Sequence, residues 1–358
     1  MKLGLTMGDP NGIGPEVLLR ALTQLQPFDG WEPLIFGDLE VLESMAAQLG
    51  SSLRLQAVLA ADTPVAAGAI PVRNLAVSKD RCWELGRCDP WGGESAFRFV
   101  HEAIVAANQG KIAAIVTGPL AKAALQAAGH DFPGHTEMLA HYTNTPRSVM
   151  MLVVDQLRAV MATLHLSLRE AIDTLTPELL VDTMRITDQA LRRMGVSEPR
   201  LGIPGLNPHA GENGLFGSEE QEIILPAITQ ARQQGIQCSM PISPDAIFLQ
   251  HQQGRFDAVI ALYHDQALIP LKLIGFDRAV NVTLGLPIIR TSVDHGTAFD
   301  LAPQLNANPG SMLAAIAMAQ QFASGAKGWV QRFVARRGSQ NHQAPADGVG
   351  VELKTEKF

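Results

Sequence analysis

Short apolar runs alternate with longer stretches of helical period along most of the chain. Leu3–Met7, Leu34–Phe36, Leu53–Leu59, Ile70–Val77 and Ile112–Val116 have the length and composition of buried strands. Between them the spacing predicts helices over Val17–Leu25, entered through Pro15 and Glu16, and over Leu39–Leu49. A further helix spans Glu94–Asn108, with Phe97, Val100, Ile104 and Ala107 facing inward, and after the strand-end turn Thr117-Gly118-Pro119 another runs to Ala128. Gly129–Thr136 breaks the pattern. Beyond it, Val149–Val154 and Leu157–Thr163 flank the two-residue connection Asp155-Gln156, which predicts a hairpin. A long helix over Pro177–Met194, a strand over Arg200–Leu206, a helix capped by Ser218 and running to Gly235, and a strand over Ala258–Leu262 follow. After Asp300 the period is helical over Ser311–Ala323 and Trp329–Arg336, and residues 337–358 read as a disordered tail. The alternation predicts an α/β fold of two α/β/α domains with mainly parallel, partly mixed sheets. Residues 1–130 with 295–336 form the first expected domain and 131–294 the second, as suits a chain of 358 residues.

Composition narrows the partners. A formal charge of -7 argues against nucleic acid or an anionic membrane surface as the main partner. An anionic small substrate then needs a local basic cluster. No apolar run approaches the ~20 residues of a membrane span. Met1–Thr6 enters a strand with no apolar signal region, and Cys82, Cys88 and Cys238 make no disulfide framework, so all three read as free thiols of a reducing cytoplasm.

Two constellations carry chemistry. Three apolar strands end in a histidine: His165, His209 and His264. One such histidine is usually a capping or packing residue, but three near carboxyl strand ends of one expected domain suggest ligands for Zn²⁺ or another divalent ion. Asp245 and Asp265 are the accompanying candidates for acid/base or orienting carboxylates. The second set is Lys272, Asn281 and Arg290, with His135 and Thr136 from the break. It reads either as a grip for phosphate or carboxylate or as surface ion pairs. The turn Gly8–Glu16 is glycine-rich but lacks the dinucleotide fingerprint, because no glycine follows Gly14 by three residues. It is open to two readings, a ligand-approach loop and a plain strand-to-helix turn.

Gly8–Glu16, Gly134-His135-Thr136-Glu137, Leu206–Glu212, Tyr263-His264-Asp265-Gln266 and Arg290–Thr297 together resemble the 4-hydroxythreonine-4-phosphate dehydrogenase family of pyridoxal phosphate biosynthesis. The first turn and His295–Asp300 also resemble the wider isocitrate and isopropylmalate dehydrogenase superfamily, which binds nicotinamide cofactors without a Rossmann fingerprint. The resemblance implies a homodimer with a metal site shared between subunits. It implies NAD or NADP and a divalent ion (Zn²⁺, with Mg²⁺ or Co²⁺ as candidates) held by His165, His209 and His264. It assigns the phosphorylated substrate to His135, Thr136, Lys272, Asn281 and Arg290. Gly12, Gly14, Asp294, His295 and Gly296 are the expected cofactor contacts. The implied reaction is oxidation of 4-phosphooxy-L-threonine at C3 with loss of CO₂ to 3-amino-2-oxopropyl phosphate. A sister activity on 4-phospho-threonate or 4-phospho-erythronate, a metal-dependent hydrolase and a non-catalytic phosphate-ester binder are the competing expectations.

Overall fold

The apolar runs of strand length become strands of a twelve-stranded sheet, in a computed structural model that describes residues 1–77 and 83–325. The first half of the chain supplies β1 (Lys2–Thr6), α1 (Gly14–Leu25), β2 (Glu32–Gly37), α2 (Leu39–Gln48), β3 (Arg54–Val58) and β4 (Ala69–Asn74). It continues with α3 (Pro90–Asn108), β5 (Ala114–Thr117), α4 (Lys122–Ala127) and α5 (His135–Tyr142). The second half begins with β6 (Val149–Val154), β7 (Leu157–Met161), α6 (Leu168–Thr174), α7 (Pro177–Arg193) and β8 (Arg200–Gly202). Then come α8 (Leu225–Gln233), β9 (Gln237–Cys238), α9 (Pro244–Gln252), β10 (Ala258–Ala261) and α10 (His264–Gly275). β11 (Val280–Leu284), β12 (Arg290–Val293) and α11 (Gly310–Ser324) close the described chain. The expected helix at Trp329–Arg336, the tail 337–358 and Cys82 lie outside the described residues.

The strand order is β3-β4-β2-β1-β5-β12-β11-β6-β7-β10-β8-β9. Strands of the first half thus occupy one end and those of the second half the other. Both ends are parallel, and the centre is mixed: β11 runs antiparallel to β12 and to β6, and β6 antiparallel to β7. The mainly parallel, partly mixed character expected from the sequence is what the molecule has. Three antiparallel steps separate β5 from β7, so these strands run in opposite directions. Segments leaving their carboxyl ends therefore start from opposite edges of the sheet.

The strands are buried because helices cover the sheet. Leu3, Leu5, Ile35, Ile115 and Val259 have no exposed surface, and α11 lays its buried face, including Met312, Ala315 and Ile316, on β5, β11 and β12. Aspartates and hydroxyls set several helix starts: Asp38 caps α2, Asp89 caps α3, and Ser167 with Glu170 forms a capping box on α6. Glu16, fully buried, pairs with Arg20 at 2.8 Å and accepts from the Ala307 N–H, which ties α1 to the segment leading into α11.

Four helices escape the sequence reading: α5, α6, α9 and α10. Each is short or opens on residues singled out for chemistry, and their apolar faces are too brief for a clear period. The expected strand over Arg200–Leu206 ends at Gly202; beyond it only an isolated bridge from Pro204 to Ile242 continues the pairing, since proline has no N–H to give to the ladder. Ser218 does not cap by its side chain; a π-helical turn over Glu220–Ile224 precedes α8. Among the described residues no helix is long and apolar enough to cross a membrane.

Candidate active site

A cavity of about 220 Å³ lies over the β12–β11–β6 part of the sheet. Register explains its floor. Asn281 aligns with Ser292, Thr283 with Arg290 and with Met150, so these side chains share one face. From one edge the segment after β5 brings Pro119, Leu120 and Lys122; from the other the segment after β7 brings Leu164 and His165. The start of α5 supplies Gly134, His135, Thr136 and Glu137 to the wall, and His295 completes it.

Arg290 dominates the floor. Its side chain is 2 % exposed, and its nitrogens donate to Thr117 Oγ1 at 2.8 and 3.2 Å, to Thr283 Oγ1 at 2.9 Å and weakly to Asn281 Oδ1 at 3.5 Å. All are neutral acceptors, and no carboxylate within 4.0 Å pairs with this guanidinium among the described residues. Burial accordingly pushes its pKa down to about 9, with Glu137 opposing from a distance. An unpaired buried cation of this kind favours an anion arriving beside it. Next to it, His135 is held neutral, well below the ordinary histidine range, first by burial and then by the Arg290 charge. Its Nε2 is buried with no hydrogen-bond partner.

His165 and His264 meet, with ring centroids 5.9 Å apart. His165 adopts a left-handed backbone at φ 53°, which histidine tolerates better than most residues. Burial, Lys122 and His264, in that order, lower its pKa, against a smaller opposing effect of Glu137, so the ring favours the neutral, metal-competent form. His264 opens α10, and its Nδ1 lies 2.6 Å from Asp265 Oδ1. That bond leaves Nε2 free, the arrangement in which a carboxylate orients a metal-binding imidazole.

His209 stands apart from this pair. Although β7, β10 and β8 are parallel neighbours, its ring faces Phe216 at 6.3 Å. No group of three His, Cys, Asp or Glu side chains converges on a metal position among the described residues. His209 sits in a left-handed turn, with positive φ at His209, Ala210, Gly211, Glu212 and Asn213. Such backbone costs about 1 kcal/mol at each non-glycine position. Buried Glu220 holds the turn: its carboxylate accepts from the N–H groups of Leu206 and Asn207, both at 2.8 Å, and from Asn207 Nδ2 at 2.9 Å. Gln266, two residues after His264, bonds the Gly205 carbonyl and the Leu262 N–H, which cross-links the ends of β8 and β10. Asp245 belongs to this side of the molecule: it bonds Ser243, and that bond with the smaller attraction of His209 holds its carboxyl below the ordinary aspartate range.

The remaining candidates form a second neighbourhood. Lys272 pairs with Asp294 at 3.1 Å instead of facing the cavity. A Cβ on Gly12 would lie 2.7 Å from the Thr297 carbonyl oxygen, and the Ile13 N–H donates to that oxygen, so the first turn packs on the 294–300 loop. Gly14 lies against the Met7 carbonyl, where an added Cβ would come within 2.3 Å, so its own turn requires it. Gly296 is open to solvent. His295 joins the two neighbourhoods, lining the cavity with a buried, unpartnered Nε2.

The structure thus gathers His135, Thr136, His165, Asn281, Arg290 and His295 at one cavity, with His264 beside it. Sequence reasoning missed Lys122 and Glu137. Both follow signals already noted: Lys122 comes soon after the strand-end turn Thr117-Gly118-Pro119, and Glu137 directly follows Thr136.

Comparison with known proteins assigns the class. A 4-hydroxythreonine-4-phosphate dehydrogenase from Klebsiella pneumoniae of known structure matches with TM-score 0.83 and 40% identity, over 90% of this chain and 99% of that one. A D-threonate 4-phosphate dehydrogenase from Cupriavidus necator is 43% identical over 90% of this chain and 97% of the relative. A 4-hydroxythreonine-4-phosphate dehydrogenase from Desulforapulum autotrophicum is 44% identical over 88% and 94%. Fold and relatives therefore define an α/β dehydrogenase. More narrowly, residues 30–319 match the model of the pyridoxal phosphate biosynthetic protein PdxA, and the chain belongs to that family.

Proposed function

We propose that this protein oxidises 4-phosphooxy-L-threonine at C3 with NAD or NADP, with loss of CO₂ to 3-amino-2-oxopropyl phosphate, in pyridoxal 5'-phosphate biosynthesis in the cytoplasm. The observation that carries the proposal is Arg290, a buried guanidinium lacking a carboxylate, beside the free Nε2 of His135 and within the same cavity as His165. Arg290, His135, Thr136 and Asn281 grip the substrate phosphate, and the anion restores the charge balance that Arg290 lacks. Lys272, paired to Asp294, links the substrate site to the cofactor loop and completes the phosphate grip when that pair opens.

His165 and His264 would hold a divalent ion, Zn²⁺ foremost with Mg²⁺ or Co²⁺ as alternatives, which supplies Lewis-acid polarisation of the hydroxyl to be oxidised. NAD or NADP would supply the hydride acceptor. Asp265 orients His264 for that ligand role. His209 completes the ligand set from a second copy of the chain, a reading supported by its separation from the pair. The exposed apolar surface of α10 and the turn after it, with Ile269, Leu273 and Phe276, fits burial in a homodimer. Asp245 would arrive with His209 and serve as the acid/base or orienting carboxylate. Gly12, Gly14 and the Asp294–Gly296 segment form the cofactor side. The division into 1–130 with 295–336 and 131–294 is part of the same proposal, with the cavity over β12, β11 and β6.

Dehydrogenation of D-threonate 4-phosphate is the second reading, favoured by relatives that carry that name at 42–43% identity, against 44% for a 4-hydroxythreonine-4-phosphate dehydrogenase. NADH formation from 4-phosphooxy-L-threonine, with and without chelator, tests the proposal. Turnover that chelator and His264→Ala abolish is the expected result. Turnover indifferent to both, or none with either nicotinamide cofactor, refutes it.

A further inference from the structure

Lys122 and Glu137 are charged side chains on the cavity wall to which the phosphate and metal roles assign no task. Among the described residues neither makes a side-chain hydrogen bond or a salt bridge, although ion pairs are common elsewhere on the molecule. Both lean over one bare patch of backbone. A Cβ built on Gly134 would sit 3.5 Å from Glu137 Oε2 and 4.0 Å from Lys122 Cε. Gly134 is extended, at φ 172°, a conformation any residue adopts, so the bareness of the patch is not demanded by the local backbone. Its absent side chain leaves room for part of a ligand beside the Glu137 carboxylate and the end of the Lys122 side chain.

The phosphate of the proposed substrate is at one end of the molecule, on Arg290. Its other end carries a carboxylate at C1 and, at C2, either an ammonium or a hydroxyl. A lysine and a glutamate set about one open patch complement a carboxylate and an adjacent ammonium. We infer that Lys122 and Glu137 form the subsite for this end: Lys122 receives the carboxylate, and Glu137 selects a C2 ammonium over a C2 hydroxyl. This inference rests on the phosphorylated-substrate reading above. Glu137 accepts a charge-assisted hydrogen bond from an ammonium and a weaker one from a hydroxyl, so the two substrates depend on it unequally.

The test compares kcat/KM for 4-phosphooxy-L-threonine and D-threonate 4-phosphate at saturating NAD⁺ and added Zn²⁺, in wild type, Glu137→Gln, Lys122→Met and Lys122→Arg. Both side chains are exposed, so the variants should fold. Glu137→Gln should lower kcat/KM for the ammonium substrate by roughly tenfold or more and for the hydroxyl substrate by less than about threefold. Lys122→Met should raise KM for both substrates roughly tenfold, leave the cofactor KM unchanged and be largely rescued in Lys122→Arg. Equal losses in Glu137→Gln for the two substrates overturn the inference, as does a Lys122→Met effect confined to the cofactor. Wild-type turnover of either substrate with unaltered selectivity in Glu137→Gln refutes this subsite alone. Wild-type inactivity on both refutes the functional reading and the subsite with it.

Discussion

Replacing Arg290 by methionine should make the ligand-free protein more stable while abolishing its function. The reason is the environment of the guanidinium. Burial lowers its pKa from 12.5 to about 9. At about 1.4 kcal/mol per pH unit, holding this charge costs the fold on the order of 5 kcal/mol at neutral pH. The sign is that of a depressed cation: the folded state disfavours the charged form, and the cost is fully present at every pH below about 9. Hydrogen bonds to Thr117, Thr283 and Asn281 return roughly 3 kcal/mol at about 1 kcal/mol each. Methionine has similar length, removes the charge and forfeits those bonds, so the expected net gain is about 2 kcal/mol. Urea denaturation of wild type and Arg290→Met without ligand measures it. Inorganic phosphate, titrated in thermal unfolding, should raise the wild-type Tm and leave the variant unmoved. The kcat/KM of the variant should fall at least about a hundredfold, mainly through substrate KM. A variant less stable than wild type, or one that phosphate stabilises equally, would refute the picture of Arg290 as an anion site awaiting its ligand.

Two further expectations come from other parts of the molecule. Asp265→Asn removes the carboxylate bonded to His264 Nδ1, and affinity for Zn²⁺ should drop roughly 10- to 100-fold in a competition titration; unchanged affinity would leave Asp265 without an orienting role. Asp9 is fully buried beside the start of α3, and desolvation first, with a smaller effect of Asp89, raises its pKa from 3.8 to about 7. A raised carboxyl contributes stability that is complete below the unfolded pKa and is lost as pH rises through the folded one. Wild type should therefore weaken relative to Asp9→Asn between pH 4 and 7, by up to about 4 kcal/mol, in Tm measured against pH. Parallel pH profiles for the two proteins would contradict this.

The period of hydrophobic residues was enough to name most strands, the long helices and the mixed α/β class, because burial against a sheet leaves a local imprint on sequence. The hairpin at Asp155-Gln156 was legible for the same reason, since its turn joins adjacent apolar runs. Helices α5, α9 and α10 were not. They begin at His135, Pro244 and His264, where polar residues and prolines interrupt an apolar stripe, and α5 and α9 are too short to show a period.

For the site, the sequence alone determined which residue types were available: an arginine after an apolar run, histidines after strands, and glycines in the first turn. Tertiary structure decided which of them meet. Cross-strand register sets Arg290, Asn281 and Thr283 on one face, and strand reversal between β5 and β7 brings Lys122 and His165 to the same cavity from opposite edges. It also parts His209 from His165 and His264, since Glu220 holds Leu206 and Asn207 and the chain turns left-handed from His209 to Asn213. These are contacts between residues far apart in the chain. Local propensity does not encode them, because each depends on which strands pair, in which direction and in which register.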